Sequence, residues 1–503
     1  MADRPGAFGY GRVRLPGAPR VAAPAARPLL SIRQAKMSTS RSPAPASVGH
    51  HFRATVALAL PIIVSRAALV VMFTVDTVMV GRASAADLAY FGLGVAPQLT
   101  LMMVAVGALQ ATAVLASQAL GAGDAPRAGA VLRASLAHAL ALGLICLFLS
   151  MLAEPFFLAT GQDADLAAGA ARVSHAFGFG MPGILMFVAC NLFMEATGRP
   201  KTGMAIMLAA NLVNVPLNAL LGYGWGGWFA AGGAEGIMLA STIARTLAGV
   251  SILTILALQA RRDDTFRILP RRTAGAAAVG LWADPDARLL RRLGLPMGLA
   301  QGVESAAFAT VVMMAGWLGT AQLAAYQTTM SLVTLTFMMA IGTGGATAIR
   351  VGRAFGEGDM ANVGRAGWSG IALGAVWPVP VALLFLISPE TAARAVTSDP
   401  RTVEAAAQAL FVAGFMLSID ASMAVTIGAL RGLGDVWWPT LWQIGAFWLV
   451  AIPVAYVMAI VLAVGAGGLI GGLIAGILVS FAGLSWRFAR QSAMHRLSPV
   501  VPL

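Results

Sequence analysis

Glu304 stands near the middle of GLAQGVESAAFATVVMMAGWLG (298–319), a stretch long and apolar enough to cross a bilayer. Hydrocarbon does not solvate charge, so a carboxyl there must be paired or must serve an ion path. Asp420, in FVAGFMLSIDASMAVTIGAL (411–430), is a second such acid. Glu304 follows Arg292 by twelve residues and Asp420 precedes Arg431 by eleven. Helices would therefore carry both carboxyls ~16–18 Å from the interface at which those arginines stand. Two acids at one depth could share a proton or flank a small cation such as Na+. The alternative is that each is a neutral buried acid, satisfied by a local hydroxyl such as Ser305 or Ser418.

Asp76, in VMFTVDTVMVGR (71–82), lies six residues before Arg82 and could be interfacial or buried. The segment NLVNVPLNALL puts Asn211, Asn214 and Asn218 at i, i+3 and i+7, on one helix face interrupted by Pro216. Amides on an apolar face need internal partners. A cation, or an acid from the first span, would supply them; hydrogen bonds between helices are the alternative. Pro61 and Pro216 can loosen the helical ladder nearby. Arg66 and Arg245 also fall in apolar runs, either as counter-charges to the acids or as binders of an anionic group. Soft side chains suit a promiscuous pocket, which makes Met313, Met338 and Trp442 candidates, although such residues in a bundle more often pack or face lipid.

The elements that must hold these groups follow from composition. Only 11% of the 503 residues are charged and 58% are hydrophobic, with mean hydropathy +0.79. Breaking the apolar runs at Gly, Pro and charge clusters gives twelve spans: 55–79, 88–116, 129–152, 168–193, 203–223, 236–258, 293–317, 323–347, 363–388, 403–428, 437–461 and 464–485. The expected organisation is a basic disordered tail (1–52), a first lobe (53–258), a linker (259–292), a second lobe (293–490) and a short C-terminal tail (491–503). Met37 would make a natural start within the first tail.

The net charge of +13 comes from arginines clustered between spans, which points to the inner leaflet and not to nucleic acid. The N-terminal tail, the linker (Arg261, Arg262, Arg267, Arg271, Arg272, Arg288, Arg291 and Arg292) and the C-terminal Arg487, Arg490 and Arg496 all fall on one face. The positive-inside rule makes that face, with both termini, cytoplasmic. Cys146 and Cys190 lie in apolar segments, which suggests neither a disulfide framework nor a zinc site. Gly-x-Gly-Asp at 121–124 and 356–359 lacks the Lys-Ser/Thr of a phosphate loop and reads as a tight turn between helices. No Walker motif is present, so an ion gradient is the remaining energy supply.

The two halves repeat. ATAVLASQALGAGD (111–124) matches ATAIRVGRAFGEGD (346–359) at a shift of 235 positions, and the same shift carries Leu60-Pro61 onto Leu295-Pro296. Six spans per copy give both copies the same topology. They predict an all-α membrane protein of two six-helix lobes, related by a pseudo-twofold along the membrane normal around a central cavity.

These segments resemble the multidrug and toxic compound extrusion (MATE) family, in its NorM-like bacterial branch. The resemblance rests on LALPIIVSRAALVVMFTVDTVMVGR, SQALGAGD, NLVNVPLNALLGYG, LGLPMGLAQGVESAAF, AIRVGRAFGEGD and GALRGLGD, in family order from about Thr55 to Arg490. It implies an antiporter, not an enzyme, that exports cationic amphipathic drugs in exchange for Na+ or H+ by alternating access. The expected setting is the bacterial inner membrane and the expected state a monomer, with no cofactor beyond the coupling ion. It also implies an ion site in the first lobe at Asp76 and Asn214 with Asn218 one turn on, and a second at Glu304 and Asp420, where Na+ could bind. Arg66, Glu195 and Tyr326 depart from the family pattern. A lipid-linked oligosaccharide flippase of the same superfamily is the alternative, favoured by Arg66 and Arg245. A membrane enzyme would need a nucleophile, metal cluster or soluble domain, and the sequence offers none.

Overall fold

The computed structural model describes residues 48–224, 230–268, 284–397 and 399–494. Among these residues twelve helices are long and apolar enough to span a membrane. Spans 1 to 6 are His51–Ala83, Ala85–Gly121, Ala125–Met151, Ala164–Ala196, Pro200–Tyr223 and Gly233–Arg262. Spans 7 to 12 are Pro285–Trp317, Thr320–Gly356, Met360–Ile387, Pro400–Gly432, Trp437–Val461 and Ala466–Ala493. All twelve exceed the ~20 residues that cross hydrocarbon, because helical hydrogen bonding continues into the polar flanks.

The expected boundaries shift accordingly. The first helix starts at Val48, within the segment read as a tail. Both ends of the expected linker are helical, up to Arg262 and again from Pro285. Residues 1–47, 269–283 and 495–503, which include Met37, Arg271, Arg272 and Arg496, lie outside the described residues.

Buried apolar side chains fall into two large cores. One is built mainly from spans 1 to 6 and the other from spans 7 to 12. Outside them, side chains such as Leu212, Ile387 and Leu449 are more than three-quarters exposed (77%, 76% and 78%). A surface so apolar is stable only against lipid.

The repeat is visible as matched geometry. Gly123 and Gly358 take left-handed φ of 76° and 72°, closing the turns after spans 2 and 8. Asp124 then accepts from the Arg127 N–H and Asp359 from the Asn362 N–H, each at 2.9 Å, which caps the following helix. Span 1 packs on span 8 and span 2 on span 7, the exchange a pseudo-twofold requires.

The lobes meet through the halves of spans 1, 2, 7 and 8 nearest the arginine-rich connections, here termed the basic end. A Cβ on Gly107 would lie 2.9 Å from the Met297 carbonyl oxygen, and one on Gly342 would lie 2.9 Å from the Ile63 nitrogen. Nearer the basic end, the Gln118 amide donates to the Gly432 carbonyl at 2.8 Å, and Arg350 donates to the His51 carbonyl at 2.8 Å.

Several spans are irregular, two of them at a proline, which lacks a backbone donor. Pro378 divides span 9 into Met360–Val376 and Val379–Ile387. π-helical turns at 446–451 and 457–461 flank the segment holding Pro453 in span 11. Span 2 breaks at Gln110, whose side chain is drawn into the space between the lobes.

Candidate functional site

The first-lobe site is a closed hydrogen-bond network between spans 1, 5 and 6. Asp76 is fully buried. Its Oδ1 accepts from the Asn218 amide at 2.7 Å and its Oδ2 from the Ser241 hydroxyl at 2.5 Å. The Asn214 amide donates to Ser241 Oγ at 2.8 Å and to Asn218 Oδ1 at 3.2 Å. The structure thus brings Asp76, Asn214 and Asn218 together. Asn211, though on the same helix, donates to the Ala68 and Met207 carbonyls and stays outside the network. Arg245 is close enough for its charge to act on Asp76 and lies 4.8 Å from the Phe177 ring centroid. Asp76 is thereby held by an amide, a hydroxyl and a nearby cation, with two of its roughly four lone-pair sites engaged.

The second-lobe acids lie on spans 7 and 10, close enough for the charge of one to act on the other. Glu304 is half-buried in span 7, and its Oε2 accepts from the Gln443 amide at 3.4 Å. Asp420, on span 10, lies within range of the Glu304 charge. Ser305, one of the hydroxyls that could have satisfied these acids, instead donates to the Gln301 carbonyl at 2.9 Å. Two carboxylates near one another in a low-dielectric setting repel, and a cation between them relieves that repulsion.

Glu304 also lines a cavity of about 300 Å³ between the lobes. Its walls mix polar groups with soft apolar ones, including Met102, Met338, Phe337 and Met423. Of the three residues expected there, only Met338 is found. Met313 points outward and is 64% exposed, because its neighbour Met314 takes the inward direction and adjacent helical residues diverge by about 100°. Trp442 stacks on Trp438 one turn away (5.2 Å between centroids) and donates to the Val479 carbonyl, so it belongs to the outer wall of span 11.

Arg431 requires a correction. Read as a loop residue at the membrane surface, it stands instead in the last turn of span 10 and lines the cavity. Its guanidinium donates to Gln110 Oε1 across the lobe boundary and lies within electrostatic range of Glu304. Arg66 and Glu195, the two departures from family pattern, are partners: Arg66 Nη2 lies 3.5 Å from Glu195 Oε1, and both residues line the cavity. The Asn191 amide donates to the same Glu195 oxygen at 2.6 Å. Tyr326, the third departure, packs in the second core with its hydroxyl unpartnered.

Sequence reasoning missed Ser241, Gln110, Gln301 and Gln443. The glutamines carried a signal, being amides in apolar spans. Ser241 carried none, since an isolated serine is common in a membrane helix.

Two six-helix lobes enclosing a mixed cavity, with buried acids in each, define a two-lobe membrane carrier. The MatE family model matches the chain twice, over residues 61–220 and 296–457, one match to each lobe. The chain belongs to that family, whose members are transporters and not enzymes. Among curated proteins it is similar to one named probable multidrug resistance protein NorM from Caulobacter vibrioides, 33% identical over 404 residues, or 80% of this chain and 84% of the relative. A relative of the same name from Pseudomonas putida is 32% identical over 410 residues, covering 80% of this chain and 87% of its own. Among solved structures, an outward-facing multidrug resistance MATE transporter of the MOP superfamily superposes with a TM-score of 0.80 at 19% identity, over 89% of this chain and 97% of that one.

Proposed function

We propose that this protein is a secondary active multidrug exporter. It moves amphipathic compounds bearing a cationic group outward, in exchange for Na+ or H+, by alternating access. The observation that carries the reading is Glu304, an acid on the wall of the inter-lobe cavity beside the Gln443 amide. The names of the relatives support multidrug efflux.

The basic end is cytoplasmic by the positive-inside rule, in a bacterial inner membrane with both termini inside. Contacts between the lobes concentrate at that end, so this conformation is closed toward the cytoplasm. A cation arriving from outside neutralises the Glu304–Asp420 pair and releases cargo whose positive group that pair had held. The lobes then rock, and the cation leaves inward. Asp76, with Asn214 and Asn218, forms a second cation site in the first lobe. Each lobe has its own core, so the monomer suffices. The flippase alternative is not favoured, because the relatives are named as multidrug resistance proteins.

Ethidium efflux from proteoliposomes under an imposed inward Na+ or proton gradient tests the reading. One of the two gradients is expected to drive accumulation against the dye gradient. Indifference to both would end it.

A further inference from the structure

The cavity does not carry the negative excess expected of a site for simple cations. Each lobe contributes one acid and one base, in opposite order. In the first lobe the base is on span 1 (Arg66) and the acid ends span 4 (Glu195). In the second the acid is on span 7 (Glu304) and the base ends span 10 (Arg431). Glu195 and Arg431 occupy matching positions in the repeat, each three residues before a left-handed glycine, Gly198 (φ 79°) and Gly434 (φ 80°). The members that end spans 4 and 10 thus match in position and differ in sign, whereas Arg66 corresponds to Gln301, one turn before Glu304.

The guanidiniums are not used up by these partners. Arg66 meets Glu195 through one contact of 3.5 Å, and its buried Nε–H has no partner. A buried ion pair of such geometry recovers poorly the cost of desolvating its charges. Donors left over in a cavity wall are suited to an acceptor brought by a ligand, and a guanidinium binds a carboxylate through two parallel hydrogen bonds.

We propose that this cavity selects amphoteric amphiphiles, carrying a cationic and an anionic group together, and that Arg66 with Glu195 is the pair that recognises the anion. Cargo carboxylate takes the Arg66 donors while the cationic group faces Glu304. The proposal rests on the cavity being the drug site of the exporter described above.

Tetramethylrhodamine, a zwitterion, and its methyl ester, a cation on the same scaffold, form the test pair. Direct binding of each to the full-length protein in detergent, read by fluorescence anisotropy, is expected to favour the free acid by at least ~10-fold. The double variant R66Q/E195Q keeps the cavity neutral and is expected to erase the preference by weakening the acid alone. R66K, which keeps the charge but loses the fork, reduces it several-fold and guards against a folding failure of the double variant. Equal binding of acid and ester to the unaltered protein overturns the proposal, as does a double variant that weakens both alike. Transport of the same dyes in proteoliposomes separates the two readings: an acid preference in binding with no gradient-driven movement refutes export while leaving the cargo class standing.

Discussion

Gly121 lies against the backbone of Arg353 so closely that a Cβ on it would stand 2.0 Å from the Arg353 carbonyl oxygen. The repeat makes the counterpart contact: a Cβ on Gly356 would stand 2.1 Å from the carbonyl of Gln118. Each residue of one contact maps onto the other by the shift of 235 positions. Spans 2 and 8 therefore close the basic end through two backbone-to-backbone contacts that only glycine admits, since both obstructing atoms are main chain and cannot rotate away.

G121A or G356A is accordingly expected to hold the basic ends apart. Ethidium efflux should fall at least ~10-fold, as expected when a conformational step cannot complete, with the amount of folded protein in the membrane unchanged. A cysteine introduced at Gln118 should gain reactivity to a membrane-impermeant thiol reagent applied from the cytoplasmic side. Normal efflux in both variants would show that the contact is not a closure.

Asp420→Asn and Glu304→Gln each remove an ionisable carboxyl from the second lobe while preserving shape. Gradient-driven efflux should be lost in both, with expression and melting temperature near those of the unaltered protein. An Asp420→Asn protein that pumps normally would assign this carboxyl a structural role.

In the first lobe, Ser241→Ala leaves Asp76 Oδ2 without its hydroxyl donor. An unsatisfied buried acceptor costs about 1–3 kcal/mol, so the melting temperature should fall by several degrees. Asp76→Asn should abolish coupled transport. If Ser241→Ala melts as the unaltered protein does, the 2.5 Å contact is not a stabilising hydrogen bond.

The Arg66–Glu195 pair predicts a non-additive series in stability. Removing one partner leaves a buried charge alone, at a cost of roughly 3–5 kcal/mol, whereas removing both costs little. Thermal unfolding should rank R66Q and E195Q well below both the unaltered protein and the double variant. Additive losses would mean that the two side chains do not interact.

Asp399, at the start of span 10 and outside the membrane, accepts from the Thr402 hydroxyl at 2.6 Å and the Thr402 N–H at 2.9 Å. The hydroxyl first, then the N–H, holds its carboxyl below the ordinary value of 3.8. A lowered value means that the cap contributes fully above the unfolded value and is lost as pH falls through the folded one. The protection factor of amides in the first turn of span 10 should therefore hold at neutral pH and fall only in strong acid, and Asp399→Ala should lower it wherever the carboxylate is ionised.

What the sequence determined by itself is the part governed by local rules and by the solvent. Hydrocarbon thickness sets the length of an apolar helix, so the twelve spans and the two-lobe plan could be read directly. The Gly-x-Gly-Asp turns could be read because left-handed glycine and an aspartate cap act within four residues. The acids Asp76, Glu304 and Asp420 stood out because charge is rare in apolar runs, and the asparagine spacing put Asn211, Asn214 and Asn218 on one helix face while leaving their partners open.

Only the tertiary structure decided which side chains meet. Whether Met313 or Met314 turns inward depends on the rotation of a helix about its own axis, which an all-apolar span does not encode in its pattern. Arg431 looked like a surface arginine until span 10 proved long enough to carry it into the cavity wall. The Arg66–Glu195 pair joins residues more than a hundred positions apart, and nothing in either segment names the other. Such pairings arise from helix crossings, where one turn of displacement changes every partner, and the cavity's balance of charge exists only once both lobes have closed around it.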